Sequence, residues 1–137
     1  MFASAFSAAC NWASKTGNDV TRPLLEKATG VDRRAELPKY HWPTYTRRAH
    51  ADMPTVNEAA PAFGRRAVLY ATCFVNYNNP DIGMLAHRLL AHNGVDAQPV
   101  YPQCCGMPQL EQGDVAAVAR AAAAVAKELR PYVDDGH

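Results

Sequence analysis

The pattern of apolar and polar positions predicts different secondary structure in the two halves of the chain. In the first half, apolar residues recur at helical spacing over residues 2–15, and a second helix is predicted over residues 21–29 because Gly30 follows it as a C-terminal cap. Prolines then interrupt every periodicity over residues 31–64. This stretch is therefore predicted to be an extended, loop-rich arm that lies on something else.

The second half predicts alternating strands and helices. Short apolar runs at residues 67–72 and 95–101 are typical of parallel strands that are buried on both faces. A helix is predicted between them over residues 80–92, and a last helix over residues 111–130, which Pro131 is expected to end. The predicted fold class is α/β, with a partial parallel sheet in the order strand, helix, strand, helix, preceded by a helical and irregular segment.

Both helices of the second half carry an apolar face. The face of the first one consists of Ile82, Leu85, Ala86, Leu89 and Leu90. Two strands are too few to cover two such faces, because an isolated strand pair is marginally stable. We therefore expect additional surface from a partner chain, from a second copy, or from the remainder of a longer parent chain.

Composition and charge narrow the function classes. A length of 137 residues suits one domain, and alanine is as frequent as Leu, Val, Ile and Phe together, which predicts a thin core. The net charge of +1 argues against a nonspecific nucleic-acid binder. No uncharged run approaches the roughly 20 residues of a membrane span, and no basic residue precedes the first apolar stretch as in a secretory signal. A cytoplasmic location is expected.

The chemistry of the chain is concentrated in its cysteines, which are Cys10, Cys73, Cys104 and Cys105. A disulfide scaffold seldom uses two adjacent cysteines, because a bridge between neighbours is strained. Cys73 follows the first predicted strand, and Cys104 and Cys105 follow the second. Since parallel strands end at the same edge of a sheet, these three sulfurs are predicted to meet there. Cys10 lies on an apolar helical face and is predicted to pack.

Each cysteine group has two interpretations. A single cysteine such as Cys73 is typical of a small buried hydrophobe. Two vicinal thiols followed by Gly106 favour a ligand role, since thiolates select iron–sulfur clusters, zinc or copper(I). Gly106 could also be an ordinary turn glycine.

Specific residues carry a family resemblance. The run from Thr72 to Pro80, the Cys-Cys-Gly-Met-Pro sequence at residues 104–108 and the Gly-Asp pair at residues 113–114 resemble the first cysteine-rich (CCG) module of the heterodisulfide reductase B-like proteins and related iron–sulfur oxidoreductases. The resemblance implies that residues 1–64 are a helical and extended connector. It implies that residues 65–137 are the first half of a CCG module, truncated before a closing Cys-x-x-Cys.

The resemblance also implies a function. Cys73, Cys104 and Cys105 would be thiolate ligands of a [4Fe–4S] cluster that is complete only in the whole protein, and Gly106 would let the loop wrap the cluster. The chain would be a non-catalytic electron-transfer module of a flavin-linked dehydrogenase complex that passes electrons toward quinone. Its partner would be a flavoprotein subunit or the rest of a parent chain, which would hold it peripherally on the inner membrane.

Two alternative functions stay open. Cys104 and Cys105 would also suit a thiol–disulfide redox catalyst. A truncated chain could instead act through self-association as a homo-oligomer, since its sheet edge would be uncovered.

Other candidate residues have a structural explanation beside the functional one. Asn76, Asn78 and Asn79 could donate hydrogen bonds to cluster sulfurs, or form a helix-initiating turn. The aromatic and basic segment at residues 40–48 could meet a quinone, an acidic partner or single-stranded nucleic acid, or dock against the rest of a parent protein. His87 and His92 are five residues apart on one helix and do not predict a zinc site.

Overall fold

The computed structural model describes residues 5–137. The helices and strands, in chain order, are α1 (Ser7–Ser14), α2 (Thr21–Thr29), α3 (Tyr45–Ala51), β1 (Arg65–Tyr70), α4 (Pro80–His92), β2 (Val95–Val100), α5 (Met107–Glu111) and α6 (Val115–Asp134), with a π-helical turn at Phe74–Asn78. This is the predicted α/β class. The helix predicted over residues 2–15 is present as α1, while residues 2–4 lie outside the described part.

The sheet consists of two parallel strands. β1 pairs with β2 in a register that sets Arg65 opposite Val95 and Tyr70 opposite Val100. α4 makes the crossover that a parallel connection requires. Both strands end at the same edge, so the loops that carry the cysteines leave the sheet side by side.

The core includes a helix that the sequence analysis did not predict. The arm over residues 31–64 was expected to be irregular, yet α3 lies within it, and its Tyr45 and Ala49 are fully buried beside Ala71. The prolines flank this short helix instead of interrupting it. One of the free N–H groups at its N-terminus is satisfied by a distant residue. The Thr46 amide donates a hydrogen bond to Asn76 Oδ1 at 3.0 Å.

α4 packs through a face that differs from the apolar face in its sequence. Gly83, His87 and Ala91 are buried, whereas the larger apolar side chains face outward. These are Ile82, Leu85 and Leu89, with 48%, 65% and 63% of their surface exposed. The reason is close approach: a Cβ on Gly83 would lie only 2.4 Å from Cδ2 of Tyr45. The described residues therefore leave an apolar stripe on α4 uncovered.

α6 differs from its prediction at both ends. A separate short helix, α5, precedes it, and Asp114 caps α6 by accepting a hydrogen bond from the Ala117 amide at 2.9 Å. The helix also continues through Pro131, so the prediction that this proline ends it was wrong. Proline has no backbone N–H, so the carbonyl four residues earlier loses its helical hydrogen bond. In the exposed last turn, water can donate to that carbonyl instead. No helix among residues 5–137, α6 included, is long and apolar enough to cross a membrane.

Candidate functional site

Two cysteine thiols meet at the carboxyl edge of the sheet. Cys73 immediately precedes the π-helical turn that follows β1, and Cys104 lies on the loop that follows β2. Their Sγ atoms are 4.0 Å apart, although the two residues are 31 positions apart in the chain. The parallel register produces this proximity, because it ends both strands at one level. The role of these thiols as metal ligands stays a prediction.

The third predicted thiol, Cys105, adjoins Cys104 in the chain but does not share the contact between Cys73 and Cys104. All four cysteines are unbridged. Burial raises the pKa of the Cys73 thiol, and the neighbouring thiols Cys104 and Cys105 raise it further. Burial also raises the pKa of Tyr70, and the charges of all three thiols add to that effect. Cys10, by contrast, is half-buried and lines an apolar groove between α1 and α2, so its packing role stays a prediction.

The loop that carries Cys104 is anchored on both sides. The Tyr70 hydroxyl donates to the backbone oxygen of Gln103 at 2.8 Å, and the Gln103 side-chain amide donates to the Ala121 carbonyl of α6 at 3.0 Å. Gly106 then adopts φ +90°, and a Cβ there would come within 3.2 Å of the Ala121 Cβ. The structure therefore requires glycine at this position, both for the backbone turn and for the approach to α6.

The asparagines after Cys73 form hydrogen bonds with the arm. Asn76 is buried and accepts hydrogen bonds from the amide and the hydroxyl of Thr46, each at 3.0 Å. Asn78 donates to the Lys39 carbonyl at 2.8 Å. Both side chains thus connect the cysteine loop to the arm, which favours the structural explanation of these residues.

An aromatic pair beside the thiols was missed by the sequence analysis. Tyr77 and Tyr101 meet edge to face, with ring centroids 5.3 Å apart. Burial raises the pKa of Tyr101, and the charges of Tyr77, Cys73 and Cys104 contribute to the shift. The position of Tyr101 directly after the second strand, three residues before Cys104, is the signal that could have found it.

The aromatic and basic segment divides between core and surface. Tyr45 is fully buried, and Arg48 forms an ion pair with Asp81 at 2.9 Å. Trp42 and Arg47 stay at the surface, with the guanidinium carbon 4.9 Å from the indole ring centroid. Trp42 and Arg47 are thus the most exposed aromatic and cationic side chains of this segment.

The histidines of α4 form no pair. His87 is buried and His92 is exposed, as their spacing predicts. Burial lowers the pKa of His87.

Thiolates are the ligands that soft metal centres prefer, but these cysteines supply too few of them for a complete centre. Two thiolates on one tetrahedral ion, with bonds of about 2.3 Å, are about 3.8 Å apart. The separation of 4.0 Å between the Sγ atoms of Cys73 and Cys104 is close to that value for a single ion, whereas thiolates on different irons of one cluster lie farther apart. Among residues 5–137, however, no three His, Cys, Asp or Glu side chains are grouped tightly enough to hold a metal ion. A complete centre would need Cys105 to move inward and further ligands from elsewhere.

Comparison with known proteins identifies relatives of part of the chain. The C subunit of anaerobic glycerol-3-phosphate dehydrogenase from Escherichia coli strain K12 is 31% identical over 93 residues, which are 67% of this chain and 22% of that protein. The protein of the same name from Escherichia coli O157:H7 gives the same values. The chain thus spans about a fifth of the length of the curated relatives it matches. No family model and no solved structure matches the chain.

Proposed function

We propose that this chain is an iron–sulfur electron-transfer module of a dehydrogenase complex and belongs to the CCG type of heterodisulfide reductase B-like proteins. The observation that carries the proposal is that the parallel register brings Cys73 and Cys104, which follow different strands, together at one sheet edge, with Cys105 next to Cys104 in the chain. The similarity to one of the subunits of anaerobic glycerol-3-phosphate dehydrogenase supports it.

In this proposal, Cys73, Cys104 and Cys105 are thiolate ligands of a [4Fe–4S] cluster whose remaining ligands come from outside these three residues. The bound cluster would supply one-electron transfer. The chain's own residues prepare the site for it. Tyr70 and Gln103 hold the Cys104 loop between β1 and α6. Gly106 permits the tight turn after the vicinal pair and would leave its amide free to approach a cluster sulfide.

We further propose that residues 65–137 form the first half of a CCG module and that residues 1–64 connect it to other parts of the complex. The connector also supplies Tyr45 to the core. The uncovered stripe of Ile82, Leu85 and Leu89 supports a partner surface on α4. A flavoprotein dehydrogenase subunit, or the remainder of a parent chain, would deliver electrons, which would continue toward quinone. These partners would hold the chain peripherally on the inner membrane.

Anaerobic reconstitution with iron and sulfide tests the proposal. We expect visible cluster absorbance and a matching content of iron and sulfide in the wild-type chain when excess dithiothreitol is present, since a small thiol can occupy the iron positions that the three cysteines leave open. Cys73→Ser, Cys104→Ser and Cys105→Ser should each reduce both quantities strongly. Cys10→Ser is the matched control, because Cys10 lies in a different groove, and it should behave as wild type. A folded wild-type chain that binds neither iron nor sulfide, or serine variants that bind as wild type, would contradict the proposal.

A second candidate function is thiol–disulfide exchange. The sequence suggested Cys104 with Cys105 as the redox pair, but the 4.0 Å contact favours Cys73 with Cys104. In such a reaction, a disulfide substrate is reduced to two thiols while the two protein thiols become one disulfide. Oxidation of the metal-free chain with glutathione disulfide, followed by peptide mapping, tests this. A Cys73–Cys104 bridge is expected, and a bridge within the vicinal pair or mixed disulfides alone would exclude it.

A further inference from the structure

A groove next to the thiol pair is lined by aromatic and charged side chains. It has a volume of about 560 Å³. Its walls include Trp42 and Arg47 from the arm, Tyr101 after β2, and Glu128 and Tyr132 of α6. Sites for small molecules commonly measure about 300–1,000 Å³ and combine apolar walls with a few polar groups. The groove therefore has the size of a small-molecule site and offers both apolar and polar walls.

Arg47 is the feature that selects a ligand. Its guanidinium lies over the Trp42 ring at 4.9 Å, which is a cation–π arrangement. Within residues 5–137 it forms no ion pair, while Arg48 beside it does. A guanidinium that lies over an aromatic ring can still donate through its N–H groups to carboxylate, sulfonate or phosphate oxygens. Arg47 thus offers donors to an anionic group and has none from the described chain.

The aromatic walls select a flat molecule. Trp42 keeps 48% of its surface exposed. Tyr101 is fixed from behind by its edge-to-face contact with Tyr77, and Tyr132 is fixed in the same way by His137, at 5.7 Å between centroids. Immobilised rings offer contact area at a small cost in entropy. Glu128 on the α6 wall disfavours negative charge there, so the anionic end of a ligand belongs beside Arg47.

We propose that this groove binds a planar aromatic molecule that carries an anionic oxygen group, with its ring against Trp42 and Tyr101 and its oxygens on Arg47. The proposal goes beyond electron transfer by the thiol centre and holds with or without a cluster, since the chain's own side chains form the groove. Burial raises the pKa of Tyr101, against which the ring would lie, and Cys73 and Cys104 are near enough for their charges to raise it further. This placement would suit a small redox-active ring.

The two tryptophans give a direct test, because only one of them lines the groove. The probe is 4-nitrobenzoate, a planar anion that quenches indole fluorescence on contact. Titration should give saturable quenching in the wild-type chain and in Trp12→Phe, which leaves Trp42 as the reporter. Trp42→Phe leaves Trp12 as the reporter and should show only the linear quenching of random collisions.

Charge variants test the ligand class. Arg47→Gln should raise the Kd for 4-nitrobenzoate about five- to tenfold, as expected for a partly exposed charge-assisted hydrogen bond, and should leave the Kd of uncharged 4-nitrobenzamide unchanged. Lys127→Gln is the matched control, since Lys127 is an exposed cation next to Glu128 that does not line the groove. It should have no effect. Glu128→Gln should tighten nitrobenzoate binding about twofold.

Several results would overturn the proposal. These are linear quenching at Trp42, equal affinity for the acid and the amide, or equal affinity of the wild type and Arg47→Gln. Far-UV circular dichroism confirms that each variant folds, and Arg47→Lys, which keeps the charge and loses the stacked fork, should give an intermediate Kd. The readout involves no iron, so failure here and failure of the cluster reconstitution are distinguishable.

Discussion

The packing of α4 on α3 predicts that Gly83→Ala destabilises the fold. The added Cβ would lie 2.4, 2.6 and 2.7 Å from Cδ2, Cγ and Cε2 of Tyr45. Carbon atoms in contact are normally about 3.5–4.0 Å apart, so the ring or the helix must move by about 1 Å. Tyr45 is 0% exposed and has no solvent side to move into.

The size of the effect follows from two opposing contributions. Overpacking a core costs about 1–3 kcal/mol, while replacing glycine by alanine inside a helix contributes about 1 kcal/mol in the other direction. Because the overlap with the Tyr45 ring is about 1 Å, the overpacking cost lies in the upper part of that range, at about 2–3 kcal/mol, and we expect a net loss of about 1–2 kcal/mol in the free energy of unfolding. Urea denaturation followed by circular dichroism at 222 nm, the usual helix band, resolves such a change as a lower midpoint at constant slope.

A double-mutant cycle gives the control. In a Tyr45→Leu background the ring that opposes the new Cβ is absent, so Gly83→Ala should become neutral or stabilising. The reasoning is refuted if Gly83→Ala is at least as stable as the wild type, or if the loss persists unchanged beside Leu at position 45.

Three further predictions concern buried groups and the cysteine loop. Tyr45→Phe should stabilise the fold by roughly 1 kcal/mol in thermal melts, because the hydroxyl is buried without a hydrogen-bond partner among the described residues; a loss would refute this. Gly106→Ala should destabilise more than Gly113→Ala, since both glycines have positive φ but a Cβ at Gly113 meets nothing within 4 Å. Burial lowers the pKa of His87 below its ordinary 6.5, so the unfolded chain binds the proton first. Stability should therefore fall as the pH drops below about 6.5, by up to about 1.4 kcal/mol per pH unit, and His87→Gln should flatten that slope in urea titrations at several pH values.

The sequence predicted the elements of the second half because their local signals agree. Short apolar runs marked both strands, and Pro80 with the Asn93-Gly94 pair marked the ends of α4 within a residue. Since parallel strands end at a common edge, the meeting of Cys73 with Cys104 followed from element order alone.

The parts that the sequence did not predict depend on contacts between distant residues. α3 is too short for a periodic signal, and it is stabilised by Asn76, 30 positions away from Thr46. The apolar face of α4 was predicted to need cover from outside the two strands, and Leu85 and Leu89 are exposed, but the sequence did not indicate that Gly83 is the residue that approaches Tyr45. A rule based on apolar periodicity gives no weight to a glycine at a close contact.

The candidate site, like the fold, was predictable from the sequence only in part. The sequence singled out the thiols and Gly106, but not the tyrosines beside them or the surface position of Arg47 over Trp42. Those features lie where β2, the arm and α6 contact one another. These contacts join residues that are distant in the sequence, so no local pattern predicts them.

Ligand protection measured by mass spectrometry tests most directly whether the thiols hold a metal centre. After anaerobic reconstitution with iron and sulfide, the folded chain is alkylated, and labelling of each cysteine is compared with that of the chelator-treated chain. Cys73, Cys104 and Cys105 should be protected together and become reactive together on iron removal, while Cys10 is labelled equally in both samples. Labelling of Cys73 that does not change on iron removal would contradict the proposed metal centre.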